Sequence, residues 1–249
     1  MKITANPLEL PNKILDYPNT RIVNGEPTNI KLHPYQVSLE YYSRFGCSGS
    51  IINEYHVLTA GHCVSGRSLA SLRVRSGSNY IHRGGVLHNV NKIMLHEGYS
   101  LNTVPRNDVA IIRVDEPFEL SENTYPIKLN NDSEATKPGM FANASGWGTI
   151  YAGGPVNPTL LQVSLPFIEM EECQEAFKMY GEIPNGQICT WSKDTKKGVC
   201  HGDSGGPLTM NDKLVGIVSW GYPECAHKSY PQVFQQVSYF YDWVQKHIQ

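Results

Sequence analysis

Ser204 stands in the segment Gly202-Asp203-Ser204-Gly205-Gly206-Pro207. A serine among glycines suits a nucleophile, because a backbone without side-chain bulk lets a substrate carbonyl come close. Its hydroxyl attacks poorly until a base takes the proton, and histidine is suited to that task near neutral pH. Among nine histidines, His62 is singled out by its setting, Leu58-Thr59-Ala60-Gly61-His62-Cys63. It follows an apolar run and adjoins a cysteine, so a disulfide there would fix the loop that aims the ring. The ring in turn needs an acceptor on its second nitrogen to set tautomer and orientation. Asp108, in Arg106-Asn107-Asp108-Val109-Ala110-Ile111-Ile112, is an acid leading directly into an apolar strand. Alone it reads equally well as a turn residue at a strand entry; three segments in the order His, Asp, Ser favour the catalytic reading. The other eight histidines (His33, His56, His82, His88, His96, His201, His227 and His247) show no metal-ligand spacing and are expected at the surface. No metal or cofactor is expected.

A G-x-S-x-G pattern also marks the nucleophile elbow of α/β-hydrolases. An elbow serine must open a helix, yet Pro207 and a strand–turn–strand pattern from Leu208 to Trp220, around Asn211-Asp212, come next. That fold also needs its acid and histidine after the serine, and only the 45 residues from 205 to 249 remain. The elbow is therefore set aside.

The scaffold that holds these residues reads as many short strands. Apolar or alternating runs recur at Tyr35 to Leu39, Val57 to Ala60, Val109 to Val114, Leu161 to Leu165 and Leu214 to Trp220, and 22 glycines and 16 prolines punctuate the chain. Such a pattern indicates a sandwich or barrel. The C-terminus departs from it: Phe240, Trp243, Val244 and Ile248 follow one helical face, which predicts a helix docked on the body. The length of 249 residues allows one large all-β domain or two small ones. A net charge of -2 gives no pull toward nucleic acid or an anionic membrane, and no apolar run is long enough for a spanning helix.

Residues 1–20 carry Pro7, Pro11 and Pro18 without periodicity, and read as a loose extended leader. They contain no apolar core of the kind a secretion signal requires, so a signal is expected to have been trimmed. Six cysteines without a CxxC pair read as disulfides made in an oxidising compartment; reduced buried thiols in a cytosolic protein are the alternative.

With these segments assembled, the chain resembles the chymotrypsin/trypsin family of serine proteases from Arg21 to its end. The resemblance rests on Arg21-Ile22-Val23-Asn24-Gly25, Thr59 to Cys63, Asn107-Asp108-Val109, Ser145-Gly146-Trp147-Gly148, the segment around Ser204, and Ser219-Trp220-Gly221. It implies an all-β fold of two six-stranded antiparallel barrels with the active site in the cleft between them, plus a C-terminal helix. It implies a propeptide over residues 1–21 and a protease domain over 22–249. Ser204 is then the nucleophile, His62 the general base, Asp108 its orienting acid, and the amides of Gly202 and Ser204 an oxyanion hole. Arg21-Ile22 becomes the activation bond, whose cleavage frees an Ile22 ammonium to pair with Asp203. The implied disulfides are Cys47–Cys63, Cys173–Cys189 and Cys200–Cys225. Protein substrates, a trypsin-like activating protease and protein inhibitors are the implied partners of a secreted monomer.

The resemblance also places the substrate pocket at Gly198, Val199, His201, Ser219, Trp220, Gly221 and Gln232, with Ser219 to Gly221 pairing with substrate backbone. Trypsin-like members carry an aspartate at the pocket floor, where this chain has Gly198. Burying a substrate guanidinium without a carboxylate costs several kcal/mol. Gly221 leaves the mouth open, which implies chymotrypsin-like cleavage after Phe, Tyr, Leu or Met. Gln232 stands where deep pockets usually have glycine, and keeps elastase-like specificity open as the alternative. The stretch Gly77 to Gly84 lacks the carboxylates of calcium-binding trypsins, so no calcium is expected there. Asn131 is a candidate glycan site. Digestion, venom action and a proteolytic cascade all fit the sequence, with a lean toward digestion and invertebrate relatives. A catalytically dead homologue acting as a binding or regulatory protein is the rival from another class, and the intact triad speaks against it.

Overall fold

The computed structural model describes residues 22–249, so the leader and Arg21 lie outside the described residues. Strand β1 (Glu26–Pro27) is followed by β2 (Gln36–Tyr41), β3 (Arg44–Ile51), β4 (His56–Thr59), the one-turn helix α1 (Gly61–Val64), β5 (Leu72–Ser76), β6 (Val86–Leu95) and β7 (Ala110–Val114). The second half holds β8 (Lys128–Leu129), β9 (Phe141–Gly146), β10 (Leu161–Pro166), α2 (Met170–Phe177), β11 (Gln187–Thr190), β12 (Pro207–Met210), β13 (Lys213–Gly221), β14 (Gln232–Gln236) and α3 (Val237–His247).

The first six long strands close on themselves in the order β2-β3-β4-β7-β6-β5. Alternation explains the closure: in β5, Leu72 and Val74 point into the core while Arg73 and Arg75 point away. Val37, Leu39, Ile51, Leu58 and Ile112 complete that interior. The second half forms an eight-stranded sheet, with main path β1-β10-β9-β12-β13-β14-β11 and β8 beside β13. Its ends are brought together by Ile168 N–H donating to Cys189 O and Trp191 N–H donating to Pro166 O, each at 3.1 Å. Six strands thus return on themselves around Leu161, Val163, Leu208 and Phe234, and the short β1 and β8 are additions to the outside of that count.

Helix α3 buries Val237, Phe240 and Val244, the i, i+3, i+7 face, against the first core. Helix α2 carries too short an apolar pattern to stand out in the sequence. It buries Cys173 and Phe177, one turn apart, and is tied to β11 by the Cys173–Cys189 disulfide.

The expectation that the histidines outside the site lie at the surface is corrected for three of them. His33, His56 and His88 are buried. Each finds a polar partner that makes burial tolerable: His33 contacts Tyr35 and Gln162, His56 contacts Asn53, and His88 contacts Ser76. Burial holds all three below the ordinary imidazole pKa, and for His33 the Gln162 bond partly offsets it.

Candidate active site

Asp108 lies two residues before β7 and is fully buried. Its Oδ1 accepts from the His62 backbone N–H at 2.7 Å, and its Oδ2 faces His62 Nδ1 at 2.8 Å. Ser219 Oγ donates to the same Oδ2 at 2.6 Å. Three donors fix the carboxylate plane, and with it the direction of the imidazole. His62 itself lies on α1, which the Cys47–Cys63 disulfide fastens to β3.

The turn carrying Ser204 is stitched to both halves of the molecule. Ser48 N–H of β3 donates to Ser204 O at 2.8 Å, and Gly205 N–H donates to Val218 O of β13 at 2.8 Å. Gly202 has φ of +97°, a left-handed backbone that only glycine adopts readily, and a Cβ there would meet the Phe45 ring at 2.9 Å. The amides of Gly202 and Ser204 donate to no described backbone group, so both remain free for a ligand oxygen.

Asp203 is also fully buried. Gly148 N–H donates to its Oδ1 at 2.8 Å and Cys200 N–H to its Oδ2 at 2.9 Å. Burial pushes its pKa up to about 6, opposed by those two amides, and no cation among the described residues pairs with it. The Gly146 and Gly148 of the SGWG segment make room for this carboxylate: a Cβ at Gly148 would lie 2.5 Å from Asp203 Cγ. Ile22 is fully buried in the second core with φ of 34°, a conformation strained for a β-branched residue. Gly198 N–H donates to Val23 O at 3.1 Å, and Asn24 Nδ2 donates to the carbonyls of Thr195 and Lys196.

Beside Ser204 opens a cavity of about 200 Å³. Val199, His201, Ser219, Trp220, Gly221 and Gln232 line it, and the Cys200–Cys225 disulfide joins its walls. Gly198 does not line it. The Gln232 carboxamide lies over Gly198, with Oε1 accepting from Val199 N–H at 3.1 Å and Nε2 donating to Val199 O at 2.7 Å. Among the described residues, Glu224 is the one carboxylate on the lining, and it is 72% exposed. Tyr222 and Tyr230, which stack 4.3 Å apart on one wall, do not stand out in the sequence because their loop has no regular pattern.

The sequence pattern of the Trypsin family matches residues 22–244. The chain is a serine protease of the trypsin family. It is 36% identical to Trypsin epsilon of Drosophila erecta, covering 95% of this chain and 91% of the relative. It is 38% identical to Trypsin zeta of Drosophila melanogaster, covering 91% of this chain and 85% of the relative. Among solved structures it is similar to neuropsin, a serine protease expressed in the limbic system of mouse brain, with a TM-score of 0.83, 27% identity, and coverage of 90% and 99% of the two chains. The protease acts within a family that hydrolyses protein substrates and is held in check by protease inhibitors.

Proposed function

We propose that the protease is a secreted endopeptidase, made as a zymogen and cutting after uncharged, apolar residues. The observation that carries the catalytic reading is the Asp108–His62 bond at 2.8 Å beside the stitched Ser204 turn. Ser204 Oγ attacks the scissile carbonyl while His62 Nε2 takes its proton and then gives it to the leaving amine. Asp108 holds the ring and offsets the imidazolium charge. The amides of Gly202 and Ser204 receive the developing oxyanion, each contributing about 3 kcal/mol. Water then enters by the same proton route and releases the acyl group.

Activation at Arg21-Ile22 is supported by two features. Asp203 is a desolvated acid awaiting a cation, and a new Ile22 ammonium would be that cation. Strain points the same way. The positive φ of Ile22 is costly for a β-branched residue, and once Ile22 is an N-terminus no preceding peptide bond holds it there. The residues before Ile22 then form a propeptide, with no cysteine to retain it. Three disulfides and the family's habit support secretion, and digestion is the plainest use for such an enzyme.

Specificity is supported by the pocket. The names of the relatives point toward cleavage after Arg or Lys, but among the described residues the exposed Glu224 is the one carboxylate on the pocket lining. Leu, Met and Phe fit the open mouth at Gly221, the chymotrypsin-like reading. The bridging Gln232 favours a second, elastase-like reading in which a shortened pocket prefers Ala. The test is cleavage at Arg21 by a trypsin-like activator, inactivation of that activator, and assay of peptides ending in Phe, Leu, Ala or Arg. Dominant Phe and Leu rates support the first reading and dominant Ala the second. Arg cleavage by the cleared enzyme would overturn both. No activity, together with no labelling by an active-site serine reagent, would make the chain a binding protein.

A further inference from the structure

Behind the triad, two buried glutamines face one another across neighbouring strands. Gln187 of β11 and Gln235 of β14 are register partners, and both are almost fully buried. Paired residues share one face of a sheet, and this face looks toward Ser219, Trp220 and the segment before Asp108. Gln187 Oε1 accepts from Trp220 Nε1 at 3.1 Å, and its Nε2 donates to Pro105 O at 2.7 Å. Gln235 Nε2 donates to Ser219 Oγ at 3.0 Å. Ser219 then donates to Asp108.

The direction of these bonds is forced. An ionised carboxylate has no proton, so in the 2.6 Å contact the hydrogen must come from Ser219. The serine oxygen is thereby left as an acceptor, which the NH₂ end of Gln235 satisfies at 3.0 Å. With the amide reversed, Oε1 would compete for the Ser219 proton and draw it away from Asp108. Gln235 Oε1 has no partner among the described residues, so the side chain is oriented toward Ser219 at the expense of its own second group.

We propose that Gln235 is a positioning residue of the protease, acting through Ser219 to hold Asp108 ready for His62. This rests on the reading of Asp108 as the acid that orients His62. Nothing in the sequence suggested it: Gln235 lies outside every segment that carries the family resemblance, in a strand whose sequence is Gln-Val-Phe-Gln-Gln.

The experiment compares the cleaved wild-type chain with Gln235→Met, which keeps the length and removes the donor. The readouts are kcat and KM on the best peptide, and the low-field proton resonance of the His62 Nδ1–H that bridges to Asp108. The expected result is a fall in kcat of about tenfold, the worth of one buried hydrogen bond. KM stays within about twofold, and the resonance moves. In a Ser219→Ala background the same change should add nothing, because the intermediary is gone. An unchanged kcat, a loss carried by KM with the resonance in place, or a full loss persisting without Ser219 would each overturn the proposal. Should Gln235→Met fail to fold, Gln235→Asn serves, since it keeps the amide but falls short of Ser219. A wild-type chain that is inactive on every peptide strikes the proposed function instead, and the resonance still judges the relay.

Discussion

Gln232 and a side chain at position 198 exclude one another. A Cβ on Gly198 would lie 2.6 Å from Oε1 of Gln232 and 2.7 Å from its Cδ, while that carboxamide is clamped by both polar groups of Val199. The two positions therefore act as one unit: the pocket has either a substituent at its base or a bridging amide.

Gly198→Asp alone should accordingly fail to create a trypsin. Forcing the new side chain against a clamped amide costs about 1–3 kcal/mol of stability and leaves no open route to the carboxylate. Gly198→Asp with Gln232→Gly should instead raise kcat/KM for Arg peptides by at least about a hundredfold over either single change, since a buried carboxylate partner is worth several kcal/mol to a guanidinium. Peptide kinetics on the four proteins checks this. Simple additivity would show that Gln232 does not close the pocket.

Before activation, Asp203 should make the chain less stable as pH rises. Its folded pKa, pushed up to about 6 from 3.8, means that the unfolded chain releases the proton first. The Asp203 contribution is intact below pH 3.8, declines as pH rises to about 6, and is then lost. About two pKa units amount to roughly 3 kcal/mol. Thermal midpoints of uncleaved wild type and Asp203→Asn across pH 3.5 to 7 should differ in slope, with the downward trend confined to wild type. Cleavage at Arg21 should flatten it, because the Ile22 ammonium favours the ionised form. Equal slopes in the uncleaved proteins would remove the waiting acid from the account.

The segments of Ser204, His62 and Asp108 stood out in the sequence for a physical reason, whereas the disulfide pairs came only with the family resemblance. Groups that do chemistry need particular atoms in particular settings: Ser204 stands among glycines, His62 beside a cysteine and Asp108 before an apolar run. The closed barrel was legible through alternation such as that of β5. The positions that escaped are those whose meaning depends on a neighbour far away in the chain. His33 looks like a surface residue until Gln162 is placed against it, 129 positions on. Gly198 looks like an open floor until Gln232 is laid across it. Ser219 was read only as a pocket wall and as part of a strand that receives substrate, and its bond to Asp108 spans 111 positions.

Cys200 and Cys225 should matter to binding as well as to stability. Their disulfide closes a loop with a separation of 25 residues, worth about 3 kcal/mol by loop entropy, and it joins two walls of the substrate cavity. Cys200 N–H also holds Asp203. Replacing both cysteines by alanine should lower the unfolding free energy by about that amount and raise KM for peptides. Denaturant unfolding and steady-state kinetics on the same preparation check the two parts separately. A stability loss without any change in KM would show that the walls are held by packing alone.

His33 gives the opposite pH dependence to Asp203. Burial holds its pKa below the ordinary 6.5, with the Gln162 bond as a partial offset. The unfolded chain therefore takes up the proton first as pH falls. Stability from His33 is complete above pH 6.5 and is lost as pH drops through the lowered folded value. His33→Gln keeps a polar side chain for Thr28 and Gln162 but removes the titration. The variant should be the less stable protein at pH 7.5, where the native network is intact, and the gap should narrow by pH 5. Midpoints measured on the cleaved enzyme, where Asp203 no longer slopes the other way, isolate the effect. A gap that stays constant over that range would mean that His33 is not held neutral by the fold.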